Sequence, residues 1–321
     1  MAGPPYKRED TASKIAAEHA SSIAGKVVLT TGVSPGGLGA TFVETIAAHN
    51  PKLLILAGRN PSKVQATADA IKTANPNVAT RILILDLGSQ AQIREAAKEV
   101  LTYAEPIDVL VNSAGVMACN WQTTEEGIEY QFGMNHIGHF LFTNLIMPKV
   151  LAAKNPRVVS VSSEGHGLGR PSFDDWNFQN GSTYNRWEAY GRSKAANVLF
   201  AKALAQKLGG KGLRAYSLHP GVAFGTTLSA GIAEAEFQEL AELVSQQGSK
   251  VDVDFKTKTL DECSSSHVVA AFDPRLEDYN GSYLDDGHVA DDALESTATH
   301  PEDVEKLWKL SEKLVDQEFN Y

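Results

Sequence analysis

Cysteine is scarce in this sequence of 321 residues: only Cys119 and Cys263 occur, far apart and without a CxxC spacing. Such a pair predicts neither a disulfide framework nor a zinc site. His136 and His139 are three positions apart, but no carboxylate completes a metal motif beside them, so packing is the favoured interpretation. We therefore expect no bound metal, and two lone thiols are typical of a reducing compartment such as the cytoplasm.

Long apolar runs and an excess of positive charge are also missing. No run reaches the about 18 residues that a transmembrane helix needs, so no membrane span is expected. The opening residues MAGPPYKREDTASK contain no apolar signal core, and nothing there predicts secretion. With 29 basic against 39 acidic residues the net charge is −10, which argues against nucleic acid or an anionic membrane as the main partner.

What the sequence does contain is a regular alternation of apolar strands and amphipathic helices. Near-continuous apolar runs such as 53–57 and 107–111 are typical of parallel strands that are covered on both faces. No linker rich in Pro, Gly or Ser divides the chain. We expect an α/β protein, a single-domain Rossmann-type doubly wound parallel sheet with helices on both faces, over residues 25–321. Residues 1–24 would form an N-terminal extension, with 1–8 disordered.

Two insertions interrupt this alternation and are expected to shape a substrate pocket. The first, about residues 164–187, is interpreted as a flap beside the pocket, and a packed surface lobe is the alternative. It carries five aromatic residues: Phe173, Trp176, Phe178, Tyr184 and Trp187. The second, about residues 223–258, is mixed and charged, and its part from 226 onward has no clear strand. A long helix is predicted over 124–149, with a break near Gly133.

Residues 27–47, VVLTTGVSPGGLGATFVETIA, predict a strand, a glycine-dense turn and a helix. Glycines in the turn permit positive φ and a close approach of a diphosphate, which the N–H groups at the start of the helix would face. An ordinary turn is the alternative. The candidate cofactor-binding residues here are Gly32, Ser34, Gly37, Leu38 and Gly39.

Further candidates follow the next three strands. Arg59 ends the second strand, where an arginine accommodates the 2′-phosphate of NADP(H) and an acidic residue would favour NAD. Asp86 could accept from an adenine amino group or, alternatively, cap the next helix. Small residues after the fourth strand offer backbone donors. The candidates at these strand ends are Arg59, Asn60, Asp86, Leu87, Asn112, Ala114 and Gly115.

The strongest chemical signal is Tyr190 followed four residues later by Lys194, a spacing that places both on one face of a helix. A free phenol has a pKa of about 10, and a nearby ammonium group is expected to lower it towards a useful range. Ser163, at the end of a predicted strand, could hold a substrate oxygen. This spacing often arises by chance, and the alternative is an exposed amphipathic helix without a chemical role.

These motifs resemble those of the short-chain dehydrogenase/reductase superfamily, and within it the retinol dehydrogenase and WW-domain oxidoreductase group, particularly fungal members. The landmarks over about residues 24–290 are TGVSPGGLG, AGRN, DL, NSAG, MNHIGHFLFTNLIMP, RVVSVSS, YGRSKAANVLF and HPGVAFGTT. The resemblance implies a catalytic tetrad of Asn135, Ser163, Tyr190 and Lys194, and further cofactor contacts from Pro220, Gly221, Val222 and Thr226.

Two points in the resemblance stay open. Asn135 would hold a water that links Lys194 to solvent, and a buried helical asparagine bonding a carbonyl is the alternative. The turn reads TGxxxxGxG where the family has TGxxxGxG, and Pro35 within it lacks an amide N–H, so which groups hold the phosphates is undecided.

The function expected from these observations is NADP(H)-dependent interconversion of a carbonyl and an alcohol on a small, apolar organic substrate such as a secondary metabolite. The alternatives are non-redox chemistry on the same fold, such as isomerisation or cyclisation, and a non-catalytic NADP-binding scaffold. The family often forms homodimers or homotetramers through its two long helices, and an insertion can block such association.

Overall fold

A twisted parallel sheet forms the centre of the molecule. The computed structural model describes residues 3–223, 225–226, 228, 234–254 and 256–321, and within them the strands pair in the order β3-β2-β1-β4-β5-β6-β7-β8. All neighbouring pairs are parallel except β7 with β8. The strands are β1 (Val27–Thr31), β2 (Leu53–Gly58), β3 (Thr80–Ile84), β4 (Val109–Asn112), β5 (Arg157–Val161), β6 (Arg214–Leu218), β7 (Tyr283–Asp285) and β8 (His288–Val289).

Helices cover both faces of this sheet. One layer packs the buried sides of α1 (Ala12–Glu18), α3 (Leu38–Ala47), α4 (Pro61–Ala74) and α11 (Ser265–Phe272), the other those of α5 (Gln90–Leu101), α7 (Gly138–Leu151), α8 (Arg186–Leu208) and α12 (Pro301–Leu314). The short α2 (Ala20–Ile23), α6 (Tyr130–Phe132) and α10 (Leu260–Cys263), with α9 (Glu234–Gln247), complete the described helices. The strand order 3-2-1-4-5-6 and the two helical layers confirm the doubly wound Rossmann-type fold.

The N-terminal segment lies against the first helical layer. The expectation of disorder is wrong for residues 3–8: Tyr6 is 7% exposed and its hydroxyl donates to Glu18 Oε2 at 2.8 Å. Ile15 is fully buried where α1 packs on α3 and α11. The apolar and aromatic residues of this otherwise polar stretch are therefore buried against the first helical layer. Residues 1 and 2 lie outside the described residues.

The long helix predicted over 124–149 begins later and is interrupted. After α6, residues Gly133–Ile137 form a π-helical turn that leads directly into α7. The predicted break near Gly133 is thus confirmed. A Cβ on Gly133 would lie 2.3 Å from Thr124 Cγ2, so this glycine lets the turn at the start of the segment pack against the helix.

α9 was not predicted, because the segment around it is rich in charge. Its apolar residues nevertheless recur at helical spacing, at Phe237, Leu240 and Val244, and they pack with Leu168 and Trp187 from the first insertion. Both insertions therefore meet on one side of the molecule, beyond the carboxyl ends of the central strands.

Candidate active site

A cavity of about 570 Å³ lies beyond the carboxyl ends of the central strands. Its wall begins with the last residues of β1 and β2 and continues through the segments that follow β4, β5 and β6. Most of the site residues predicted from the sequence line it: Gly32, Ser34, Gly37, Leu38, Gly39, Arg59, Asn60, Leu87, Ala114, Gly115, Ser163, Tyr190, Lys194, Pro220, Gly221, Val222 and Thr226. Asp86, Asn112 and Asn135 do not.

The turn between β1 and α3 lines this cavity largely with the backbone of its glycine residues. Gly32 and Gly36 both have φ of +75°, and a Cβ on Gly32 would lie 2.6 Å from Ala114 Cα. A Cβ on Gly39 would lie 2.7 Å from the Gly32 carbonyl oxygen. Among the described residues no side chain caps the first turn of α3, so its N–H groups are available to an anion. This cradle fits the diphosphate of a dinucleotide.

The end of the cavity beside β2 carries positive charge. Arg59 lines it, and its guanidinium donates to Tyr130 Oη at 3.2 Å. Asn60 accepts from the Lys63 amide at 3.0 Å and so caps α4, which places Lys63 on the same wall. Two cations at the end of β2, and no acidic residue among the described lining there, suit a phosphate better than a ribose hydroxyl.

Ser163, Tyr190 and Lys194 meet at the opposite end of the cavity. The Ser163 hydroxyl oxygen accepts from the Gly165 amide at 3.0 Å. Lys194 Nζ lies 5.6 Å from the centre of the Tyr190 ring and donates to the Val161 carbonyl at 3.1 Å. A Cβ on Gly165 would lie 2.9 Å from Tyr190 Cε1, so only glycine lets the segment after β5 pass this close to the phenol.

The electrostatics of this group differ from the sequence expectation. Burial raises the pKa of Tyr190 to about 12, and its hydrogen bond with Ser163 opposes that change. Burial lowers the pKa of Lys194 to about 8. The pKa of Tyr190 is therefore raised in the protein alone, because desolvation by burial is the largest contribution. A lowering of this pKa by Lys194 and the cofactor stays a prediction.

Asn135 lies in the π-helical turn and its side chain is fully engaged with protein. Its Oδ1 accepts from the Val116 amide at 2.8 Å, and its Nδ2 donates to the Val116 carbonyl and to Ser193 Oγ, both at 2.9 Å. This is the buried asparagine that bonds a carbonyl, and it ties the segment after β4 to α8. A role in holding a water stays a prediction.

Comparison with known proteins places this geometry in a family. Residues 26–175 match the family described as short chain dehydrogenase. Retinol dehydrogenase 13 of Homo sapiens is 36% identical over 320 residues, covering 99% of this chain and 93% of that protein. The chain belongs to the short-chain dehydrogenase family. This short-chain dehydrogenase falls in the retinol dehydrogenase-like group, whose members are oxidoreductases acting on CH–OH groups.

A fungal relative and a solved structure agree with this assignment. Short-chain dehydrogenase/reductase prx1 of Penicillium rubens is 32% identical over 309 residues, covering 92% of this chain and 86% of that protein. The crystal structure of an uncharacterized protein from Mycobacterium Paratuberculosis is 29% identical, with a TM-score of 0.70, and covers 93% of this chain and 96% of that one.

Asp86 and Asn112 are not part of the described cavity wall of this short-chain dehydrogenase. Asp86 Oδ1 accepts from the Gly88 amide at 2.9 Å. Asn112 is buried and its Nδ2 donates to Thr143 Oγ1 at 2.9 Å. Both side chains shape the strand ends, and their assignment as cofactor contacts stays a prediction.

Several lining residues were not among the sequence candidates. Lys63, Glu164, His219 and Asp252 are polar members of the wall. The sequence carried a signal for three of them: Lys63 lies three residues after Asn60, Glu164 directly follows Ser163, and His219 is the first residue of the landmark HPGVAFGTT. Nothing near Asp252 marked it. The apolar part of the wall includes Met117, Leu168, Trp187, Phe237, Leu240 and Val251.

The first insertion is both a pocket wall and a surface lobe. Trp187 lines the cavity and is 2% exposed. Phe173 and Trp176 pack instead on the main core, and Phe178 packs on Tyr184 at 5.4 Å between ring centres. Of the five aromatic side chains, only Trp187 therefore lines the described cavity.

Two further properties concern the membrane and metals. Over the described part of the chain, no helix combines the length and the apolar character that crossing a bilayer would require. Over the same residues, no cluster of three His, Cys, Asp or Glu side chains is arranged to hold a metal ion.

Proposed function

We propose that this short-chain dehydrogenase uses NADP(H) to interconvert a carbonyl and an alcohol on a small, apolar organic substrate. The observation that carries the proposal is one cavity that joins the glycine cradle and the Arg59 end to Ser163, Tyr190 and Lys194. A cofactor spanning that distance and a substrate beside the phenol would share the same enclosed space.

Arg59 and Lys63 support the choice of NADP(H). In this proposal their charges pair with the 2′-phosphate, and the cradle residues around Gly37 hold the diphosphate. Lys194 would hydrogen-bond the nicotinamide ribose. When bound, the cofactor supplies or accepts the hydride.

In this proposal, residues of the protein carry out the proton transfer. In reduction, Tyr190 Oη gives its proton to the developing alkoxide, and in oxidation the phenolate takes the proton from the alcohol. Ser163 Oγ accepts from the Gly165 amide and also hydrogen-bonds Tyr190, and in this proposal its O–H turns to donate to the substrate oxygen. Lys194 stabilises the phenolate by its charge.

The lining of the pocket supports the substrate class. Its walls beyond Tyr190 are mostly apolar, which suits a hydrocarbon body, and a secondary metabolite is the class that we would test first. We place the enzyme in the cytoplasm because of its two free thiols. A homodimer or homotetramer would need a surface other than the part of α8 that α12 covers.

The direct test is NADPH consumption with a panel of carbonyl compounds, followed at the near-ultraviolet absorbance of the cofactor. Oxidation of NADPH that depends on the carbonyl compound supports the proposal. Product analysis without added reductant separates isomerisation or cyclisation from redox chemistry. Binding of NADPH without any turnover across the panel would favour a scaffold.

A further inference from the structure

His219 and Glu164 form a polar corner in the substrate half of the cavity, whose lining is mostly apolar. Both residues line it, His219 from the end of β6 and Glu164 directly after Ser163. The side chain of His219 is 9% exposed, whereas that of Glu164 is 37% exposed. The carboxylate is thus accessible, and the imidazole is held in place by its surroundings.

The hydrogen bonds fix the chemical character of each group. His219 Nδ1 accepts from the Glu164 amide at 3.0 Å, so the neutral ring carries its proton on Nε2. Glu164 Oε1 accepts from the Asp252 amide at 3.0 Å, which leaves Oε2 available. Nε2 and Oε2 are 4.0 Å apart, too far for a direct hydrogen bond, and no other partner for Nε2 occurs in the described part of the chain.

A donor and an acceptor at this separation are complementary to a hydroxyl group. One oxygen atom can lie about 2.8 Å from both, accepting from an N–H and donating to a carboxylate. An ammonium group could bond Glu164 but not the N–H of His219. A carboxylate would be repelled by Glu164 and Asp252, which share the wall, and by Asp285 behind them.

We propose that the substrate carries a hydroxyl group close to its reacting carbonyl, and that His219 and Glu164 bind this hydroxyl as a donor–acceptor pair. The enzyme would then act on hydroxyketones and the corresponding diols in preference to plain hydrocarbon ketones. This inference rests on the proposed carbonyl reduction by NADPH, and it adds the substrate class.

The test compares methyl octyl ketone with its derivatives that carry a hydroxyl on the carbon next to the carbonyl or on the one beyond. Two hydrogen bonds made only by the hydroxylated substrate should raise kcat/KM about tenfold to hundredfold for at least one derivative. This ratio is measured on the unaltered enzyme and needs no variant. Equal values for all three ketones overturn the inference, and no NADPH oxidation with any carbonyl compound overturns the proposed function instead.

The variant Glu164→Gln then tests whether the preference for hydroxylated ketones depends on the His219–Glu164 pair. A glutamine can keep the acceptor for the Asp252 amide while it presents an NH₂ where Oε2 lies, so the hydroxyl would face two donors. The kcat/KM ratio should fall to about one. Asp285→Asn is the matched control, since it removes a nearby charge from a residue that is not part of the described cavity wall, and it should keep the ratio. A ratio retained in Glu164→Gln, or lost equally in the control, overturns the assignment to this pair.

Discussion

At the scale of single residues, Tyr190 is held in surroundings that keep its proton. It is 5% exposed, and burial raises its pKa to about 12, so at neutral pH the residue is a proton donor suited to carbonyl reduction. Tyr190→Phe removes only the hydroxyl. It should retain the fold and NADPH binding and lose about a hundredfold to ten-thousandfold of kcat, the usual contribution of general acid–base catalysis.

The control for this variant is Tyr103→Phe, whose hydroxyl donates to Glu99 on the surface at 2.6 Å. It should leave reduction unchanged. Reduction by Tyr190→Phe at a rate near that of the unaltered enzyme would point to another acid.

The same phenol predicts opposite pH profiles for the two directions of reaction. Oxidation needs the phenolate, so its initial rate should rise through the alkaline range toward the raised pKa of Tyr190. Reduction needs the phenol, so it should fall only at the alkaline end of that range. Initial rates measured in both directions check this, and Tyr190→Phe should lose the dependence in each. A reduction rate that climbs with pH contradicts the assignment.

Arg59 is the residue on which the choice of cofactor depends. Arg59→Ala should weaken NADPH binding roughly tenfold to hundredfold, because a charge-assisted pair with the 2′-phosphate is lost, and should affect NADH little. Lys72→Ala is the control, since it removes a cation from the last turn of α4, outside the described wall of the cavity. Dissociation constants from fluorescence titration give the comparison, and equal losses for both cofactors would contradict NADP(H) specificity.

At the scale of elements, the sequence predicts those helices and strands whose burial follows from their own pattern of apolar residues. The α5 helix, Gln90–Leu101, is such a part, because its apolar residues recur at helical spacing and face the core, and Ser89 caps it. The same reasoning failed for α9, since its apolar face packs only on residues brought close by the fold, such as Trp187. It also failed for Tyr6, whose burial depends on α1 and the segment near Gly287.

The α8–α9 contact predicts different outcomes for two tryptophans of the same insertion. Trp187 lines the cavity, and its Nε1 donates to the Glu236 carbonyl at 2.8 Å. Trp187→Ala should therefore raise KM for the substrate several-fold more than KM for NADPH. Trp176→Ala is the matched control: it is outside the described cavity wall and should lower the melting temperature with little change in either KM. Equal kinetic effects of both would favour a flap built from the whole insertion.

At the scale of the whole molecule, contacts between segments far apart in the chain hold the helices of one layer together, and no local sequence pattern predicts them. His136 in the π-helical turn contacts Ser311 of α12, 2.8 Å from Nε2 to Oγ. Ser311 Oγ donates to the Leu307 carbonyl, so it accepts from His136, and no partner for Nδ1 occurs among the described residues. The spacing of His136 and His139 predicted packing rather than a metal, but which helix His136 would contact depends on the completed fold.

This buried histidine predicts a loss of stability in acid. Burial lowers the pKa of His136 from 6.5 to about 3, so below pH 6.5 the unfolded chain binds a proton that the folded chain does not. Stability should fall as the pH drops through that window, by up to about 1.4 kcal/mol per pH unit for this one proton. His136→Gln can keep the bond to Ser311 without a titrating group, so the free energy of unfolding should depend less steeply on pH.

Urea unfolding between about pH 7.5 and about pH 4.5 measures the slope, which linkage relates to proton uptake on unfolding. His288→Gln on the exposed edge strand β8 is the control, and its slope should equal that of the unaltered protein. Because the prediction concerns the slope, a lower stability of His136→Gln at every pH does not affect it. A slope identical in all three proteins would mean that His136 gains its proton without unfolding.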